Sequence, residues 1–250
     1  MLTVVHNLIV IAATVLASLC FMVVLNRLWP WEKRHAHNDL IGWQLSILGT
    51  TYAVILGFML YAVWTSFEQA ELNVGLEANA VVDVYRLAGA LPEPQRTQLK
   101  TLARSYVDAV INQDWPQMAT GQVPRSSTEI NAEMWNSVIS VRSALPTETN
   151  AQEHAMSALD RIAEHRLTRI LQSTTRLPNV LWCVLLVGGV LTIVSACTFG
   201  TDSVKLQAMQ VFCLSLLVSL SLVAISIIHR PFHGLIHVSD YAFRRALQSM

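Results

Sequence analysis

The sequence has 250 residues, 53% of them hydrophobic and only 14% charged, with a formal net charge of zero. Globular domains carry roughly 25% charged residues, so the composition argues against an ordinary soluble domain. Zero net charge also argues against a general electrostatic grip on nucleic acid, which needs a clustered basic surface.

Four stretches lack Asp, Glu, Lys and Arg altogether: Met1–Asn26, Leu40–Phe67, Leu177–Thr201 and Leu206–His229. Each is long enough to cross a bilayer, which takes ~20 apolar residues. Together they predict an all-α integral membrane protein with four transmembrane helices. The lipid bilayer is the first partner this implies.

The first helix is expected over about Val4–Leu25. It reads as a retained helix, because the positively charged start of a cleaved signal is missing. Leu19 is also too large a residue to precede Cys20 in a lipoprotein cleavage box. A short loop follows, in which Trp29 and Trp31 suit the lipid–water interface. Asn38 or Asp39 can cap the next helix. The second helix starts near Leu40 and meets no proline until Pro92. Its apolar half runs out around Trp64, and Glu68, Glu71, Glu77 and Asp83 follow without a break. The simplest reading is one long helix, half in lipid and half in water.

Residues 68–176 form a cytosolic helical insert between helices 2 and 3: the continuation of helix 2 plus about three more helices. One apolar face carries Leu99, Leu102, Tyr106, Val107 and Val110. A second helix, capped by Ser127 or Thr128, carries Ile130, Met134, Trp135, Val138 and Val141, and Pro146 is expected to end it. A third, about Thr149–Thr175, carries Met156, Leu159, Ile162, Leu167 and Ile170. No strand pattern appears. Helix 3 is expected from Pro178 to about Phe199 and helix 4 over Leu206–Ile228, before a partly helical, amphipathic tail at 230–250. The domain plan is therefore 1–67, 68–176, 177–229 and 230–250.

Basic residues near the helix ends orient the chain. Arg27, Lys33, Arg34 and Lys205 lie on one side, against eight arginines (86, 161, 166, 169, 176, 230, 244 and 245) on the other. This puts the N-terminus, the insert and the C-terminal tail in the cytoplasm.

The four cysteines, Cys20, Cys183, Cys197 and Cys213, all lie in apolar runs without paired spacing, and read as small packing residues. His229, His233 and His237 repeat every fourth residue, but Pro231 and Gly234 interrupt the helix that would align them. No metal site and no cofactor is predicted. Nucleophile-elbow, zinc-protease and phosphate-loop motifs are missing, and the apolar runs lack the ionisable residues typical of coupled transporters. An enzyme is not expected.

Several strings carry a family resemblance. They are Leu56-Gly57-Phe58, Val63-Trp64 with Phe67 and Ala70, Glu77-Ala78, Leu91-Pro92-Glu93-Pro94, Asp114-Trp115-Pro116, Leu177-Pro178 with Leu181-Trp182, and Arg230-Pro231-Phe232 with Gly234. In this order they resemble the bestrophin-like family of bacterial membrane proteins, once described only as a domain of unknown function. That family is distantly similar to bestrophins, which are pentameric anion channels. The resemblance implies a homo-oligomer, pentameric as in bestrophins, in the bacterial inner membrane, with a pore lined by helix 2. Trp64 and the Arg230-Pro231-Phe232 and Gly234 group would be structural, the latter an exit from helix 4. In bestrophins an apolar neck repeats every fourth residue up to the Phe of a Leu-Gly-Phe string. Carried here, the neck falls on Thr50, Val54 and Phe58, of which only Phe58 matches in type. The acidic calcium clasp of animal bestrophins has no counterpart after helix 4.

Two readings stand for the helix 2 face of Thr50, Val54, Phe58 and Thr65: a pore lining, or ordinary packing in the membrane. Two also stand for Glu68, Glu71 and Glu77: a carboxylate ring at the cytosolic mouth that meets ions, or a solvated face steadied by an Asp83–Arg86 pair. The functional alternatives are a homo-oligomeric ion channel and a non-conducting membrane protein. The second would bind a partner through its insert, at Trp135 or Leu159.

Overall fold

The computed structural model of the protein describes residues 2–250, with side chains from residue 4 onward. Among the described residues it is helical throughout, with no strand: α1 (Leu2–Leu28), α2 (Trp31–His35), α3 (Asn38–Ala88), α4 (Gln95–Ala109), α5 (Trp115–Ala119), α6 (Ser126–Ile139), α7 (Pro146–Thr174), α8 (Asn179–Thr198), α9 (Val204–Ile228) and α10 (Tyr241–Gln248). Four of these, α1, α3, α8 and α9, are long and apolar enough to cross a membrane. The chain divides into two units. The first runs through Thr65 and resumes over Arg176–His229; the second comprises Ser66–Thr175 and Arg230–Met250. The tail therefore belongs with the insert.

In the first unit α1, α8 and α9 pack on one another. Met22, Cys197 and Val211 form one apolar core, and Leu19, Leu25, Ile193 and Ala208 close around it. Val63, Leu185 and Ile225 form another, against Ile55, Leu56, Met59, Trp182 and Leu222. Only Cys197 of the four cysteines packs between helices; Cys20, Cys183 and Cys213 are exposed on the isolated chain, which corrects their reading as packing residues.

The α3–α8 contact depends on two glycines. An added Cβ on Gly188 would stand 2.7 Å from the Tyr52 ring, and one on Gly189 would stand 2.9 Å from its hydroxyl. That close approach lets Tyr52 Oη donate to Leu185 O at 2.9 Å. Gly188→Val is expected to overpack the seam and cost about 1–3 kcal/mol. Thermal unfolding in detergent checks this. A melting temperature equal to that of the parent would show that the seam is loose.

A polar clasp ties the ends of the same helices. Arg34, fully buried in the short helix α2, donates from Nη1 to Cys197 O at 2.8 Å and from Nη2 to Asn26 Oδ1. Asn26 Nδ2 donates to Gln207 Oε1 at 2.9 Å, and Gln207 Nε2 donates to Cys197 O and Phe199 O. Asn38 does not act simply as a cap: its side chain both donates to Gly200 O and accepts from Gly200 N. A turn as short as α2 carries too little periodicity to be read from the sequence.

In the second unit α4 packs on α6, α6 on α7, and α10 on α4. One π turn, Val110–Asp114, joins α4 to α5. Pro116 has no N–H to donate, so the helical ladder is broken where α5 begins. Pro146 does not end a helix. It stands in the first turn of α7, where a missing N–H costs nothing, and α6 has already stopped at Ile139.

Candidate functional site

The exposure of α3 in the first unit divides along its length. Tyr52 and Val63 are buried, and Ile55, Leu56 and Met59 pack toward α8 and α9. Among the described residues the opposite stripe is largely bare. Val54 is 52% exposed and Phe58 71%; Thr50 is exposed and Thr65 half-buried. Tyr61, not singled out from the sequence, belongs to this stripe and is 68% exposed. It lies 11 residues from Thr50, about three turns at 3.6 residues per turn. Chemically the stripe offers an aliphatic and an aromatic wall followed by a phenol and a threonine hydroxyl.

In the second unit the acidic set separates. Glu68 and Glu71 are exposed. Glu77 is not on a solvated face: it is completely buried and ion-paired. Asp83 does not pair with Arg86 either, but with Arg161 at 3.0 Å.

Glu77 sits in the most polar cluster of the insert's core. Arg169 Nε donates to Glu77 Oε2 at 2.8 Å and Nη2 to Oε1 at 3.0 Å, a two-pronged pairing. Nη2 also donates to Asp114 Oδ2 at 3.1 Å, and Tyr106 Oη donates to Glu77 Oε1 at 2.7 Å. All four side chains have no accessible surface. The guanidinium faces the rings of Trp115 (5.7 Å) and Phe243 (6.0 Å). The π turn matters here, because it closes at Asp114, which is buried against Arg169 while Trp115 stacks edge-on against Phe232 and Phe243. Burial alone would pull the Arg169 guanidinium down. The Glu77 carboxylate, with Tyr106 and Asp114, outweighs it and holds the group above its ordinary value. Burial, then the Glu77 charge, pushes the Tyr106 phenol well up. The cluster has no accessible surface and engages Arg169 fully, so it orders α3, α4, α7 and the π turn rather than presenting a reactive group.

The tail segment is tied to the insert. Phe232 is buried, Pro231 O accepts from Val238 N at 2.7 Å, and Trp115 Nε1 donates to Val238 O at 3.2 Å. Gly234 takes φ +100°, a conformation open to glycine. Arg230 has a buried Nε without a partner. The three histidines go to separate carbonyls, His229 to Ser226, His233 to Ala119 and His237 to Gly234. Of the two proposed partner contacts, Leu159 is fully buried and cannot serve, and Trp135 is half-buried. Leu167 and Leu171, four residues apart on α7, are exposed instead.

A family model described as a bestrophin-like domain matches residues 12–243. Solved structures with the same fold include a bacterial bestrophin homologue from Klebsiella pneumoniae. One mutant form superposes with a TM-score of 0.74 at 15% identity, over 96% of this chain and 97% of that one. The form solved by Zn-SAD phasing gives 0.71 at 14% identity, over 97% and 96%. No curated protein sequence matches the chain.

Proposed function

The chain belongs to the bestrophin-like family, and from that premise we propose that it is a subunit of a homo-oligomeric ion channel whose pore is lined by α3. Subunits surround a central axis, five of them as in bestrophins, in the inner membrane of a bacterium. The N-terminus, insert and tail face the cytoplasm. The observation that carries this reading is the exposed stripe of Thr50, Val54 and Phe58, with the half-buried Thr65 at its end, opposite a face packed against α8 and α9. A helix with one packed and one bare face suits a ring in which copies enclose a path. Glu68 and Glu71, exposed on the same helix, then stand at the cytosolic mouth, and Glu77 takes no part.

Carboxylates at a mouth attract cations and repel anions. Replacing both Glu68 and Glu71 by glutamine is expected to shift the reversal potential, measured in asymmetric salt across a planar bilayer, toward greater anion permeability. An unchanged potential would remove them from the ion path. The channel itself is tested by ion flux from liposomes holding the purified oligomer.

A second reading rests on Leu167 and Leu171, exposed at 56% and 57% on α7. In a non-conducting protein they would dock a partner. Leu167→Glu would then abolish capture of that partner by a protein that shows no flux.

A further inference from the structure

In the second unit a groove of about 600 Å³ opens between the Gly75–Arg86 stretch of α3 and helix α10. That volume falls within the range of small-molecule sites, roughly 300–1,000 Å³. Its polar lining is Asn79, Asp83, Arg86, Tyr241, Arg245 and Ser249. Asp83, its one acidic member, is already neutralised by Arg161. The guanidiniums of Arg86 and Arg245 make no hydrogen bond or ion pair among the described residues. Their neighbours differ: Arg104, Arg161, Arg169 and Arg244 all bond within the protein.

The amphipathic character of α10 fixes the arrangement. Phe243 and Ala246 are buried on one side, and Tyr241, Arg245 and Ser249, at successive four-residue steps, line the groove on the other. Both arginines stand in the last turns of their helices, where a cation suits the helix dipole. The dipole explains the residue type. It does not explain why two unpartnered guanidiniums share one opening with a tyrosine, an amide and a hydroxyl. A guanidinium presents a planar fork of donors that matches phosphate oxygens two at a time.

We propose that this groove binds a phosphate-bearing anion, held by Arg86 and Arg245. Asn79, Ser249 and the Tyr241 hydroxyl supply further donors. The recognised chemistry is the phosphate oxyanion, carried by a soluble organic phosphate or by a lipid headgroup.

The test is calorimetric titration of the full chain in detergent with inorganic pyrophosphate at low salt. Saturable binding is expected, weakened at least about tenfold by Arg86→Gln or by Arg245→Gln, and weakened by added salt. Arg125→Gln, at an exposed arginine before α6, should leave it unchanged. Matching helicity and elution confirm that the variants fold. No saturable binding at millimolar pyrophosphate, or equal loss in Arg125→Gln, overturns the proposal, as does full binding in both groove variants. Nanodiscs separate the two sources. If phosphatidylglycerol in place of phosphatidylcholine competes with pyrophosphate in the parent but not in the variants, a lipid headgroup occupies the groove. If the affinity stays the same, the occupant is a soluble phosphate.

Discussion

Arg169→Ala is expected to unfold the second unit. The change leaves the Glu77 and Asp114 carboxylates in a core with no accessible surface and no cation to meet them. Breaking a buried pair in this way typically costs about 3–5 kcal/mol, a large share of the 5–15 kcal/mol or so that holds a domain together. The comparison is Arg161→Ala. That pair, with Asp83, has the same charges at 3.0 Å but is about half exposed on both sides, and an exposed pair contributes roughly 0–1 kcal/mol. Thermal unfolding by circular dichroism, with elution in detergent, should show an aggregated or strongly destabilised Arg169→Ala beside a near-normal Arg161→Ala. Arg169→Lys should fall between them, because an ammonium cannot reproduce the two-pronged contact. The triple change Glu77→Gln, Asp114→Asn, Arg169→Met should recover much of the loss, since it removes the charges together. If Arg169→Ala melts with Arg161→Ala, the buried cluster does not hold the unit.

Phe58→Ala is expected to raise ion flux severalfold in liposomes. In the channel reading every subunit contributes this ring to the constriction, so one substitution widens it from all sides and lowers the barrier that an apolar neck sets by dewetting. Val54→Thr, which keeps the shape and adds a hydroxyl, should act in the same direction but less strongly. Met59→Ala is the control. Met59 is adjacent in sequence but packs on the core of Val63, Leu185 and Ile225, so its loss should lower stability and leave permeation alone. A protein that passes no ion in any salt, with or without Phe58, is not a channel, and the docking surface on α7 becomes the reading to pursue.

The four helices long and apolar enough to cross a membrane, with the unbroken α3 among them, were legible because their signal is composition over twenty or more residues. Glu77 was misplaced because its polarity was read and its phase was not. It lies 27 residues from Thr50, about seven and a half turns, which puts it on the opposite side of the helix. Its charge suggested water, whereas its phase put it in the core with Val74, Ala78 and Val81. Arg169 carried a similar trace. It follows Ala155, Ala158 and Ile162 at helical spacing, an arginine on an otherwise apolar stripe. What no local pattern could give is the pairing, because Glu77, Asp114 and Arg169 come from three distant parts of the chain. The Arg34 clasp was hidden for the same reason: its acceptor Cys197 is 163 residues away. Pro146 shows a limit of punctuation, since a proline marks the start of one helix as readily as the stop of another.

The division of the chain also sets an order of synthesis. The first unit is interrupted by most of the second, so Asn26 waits in the growing chain until Gln207, 181 residues later, can close the clasp with it. The second unit is interrupted in turn. Trp115 is translated well before its ring partners Phe232 and Phe243, and the apolar helices α8 and α9 must be made in between. Neither core can be completed while the other half is still on the ribosome. The nascent insert must therefore pass through a period with Trp115 uncovered, which is when it is most exposed to proteases and chaperones.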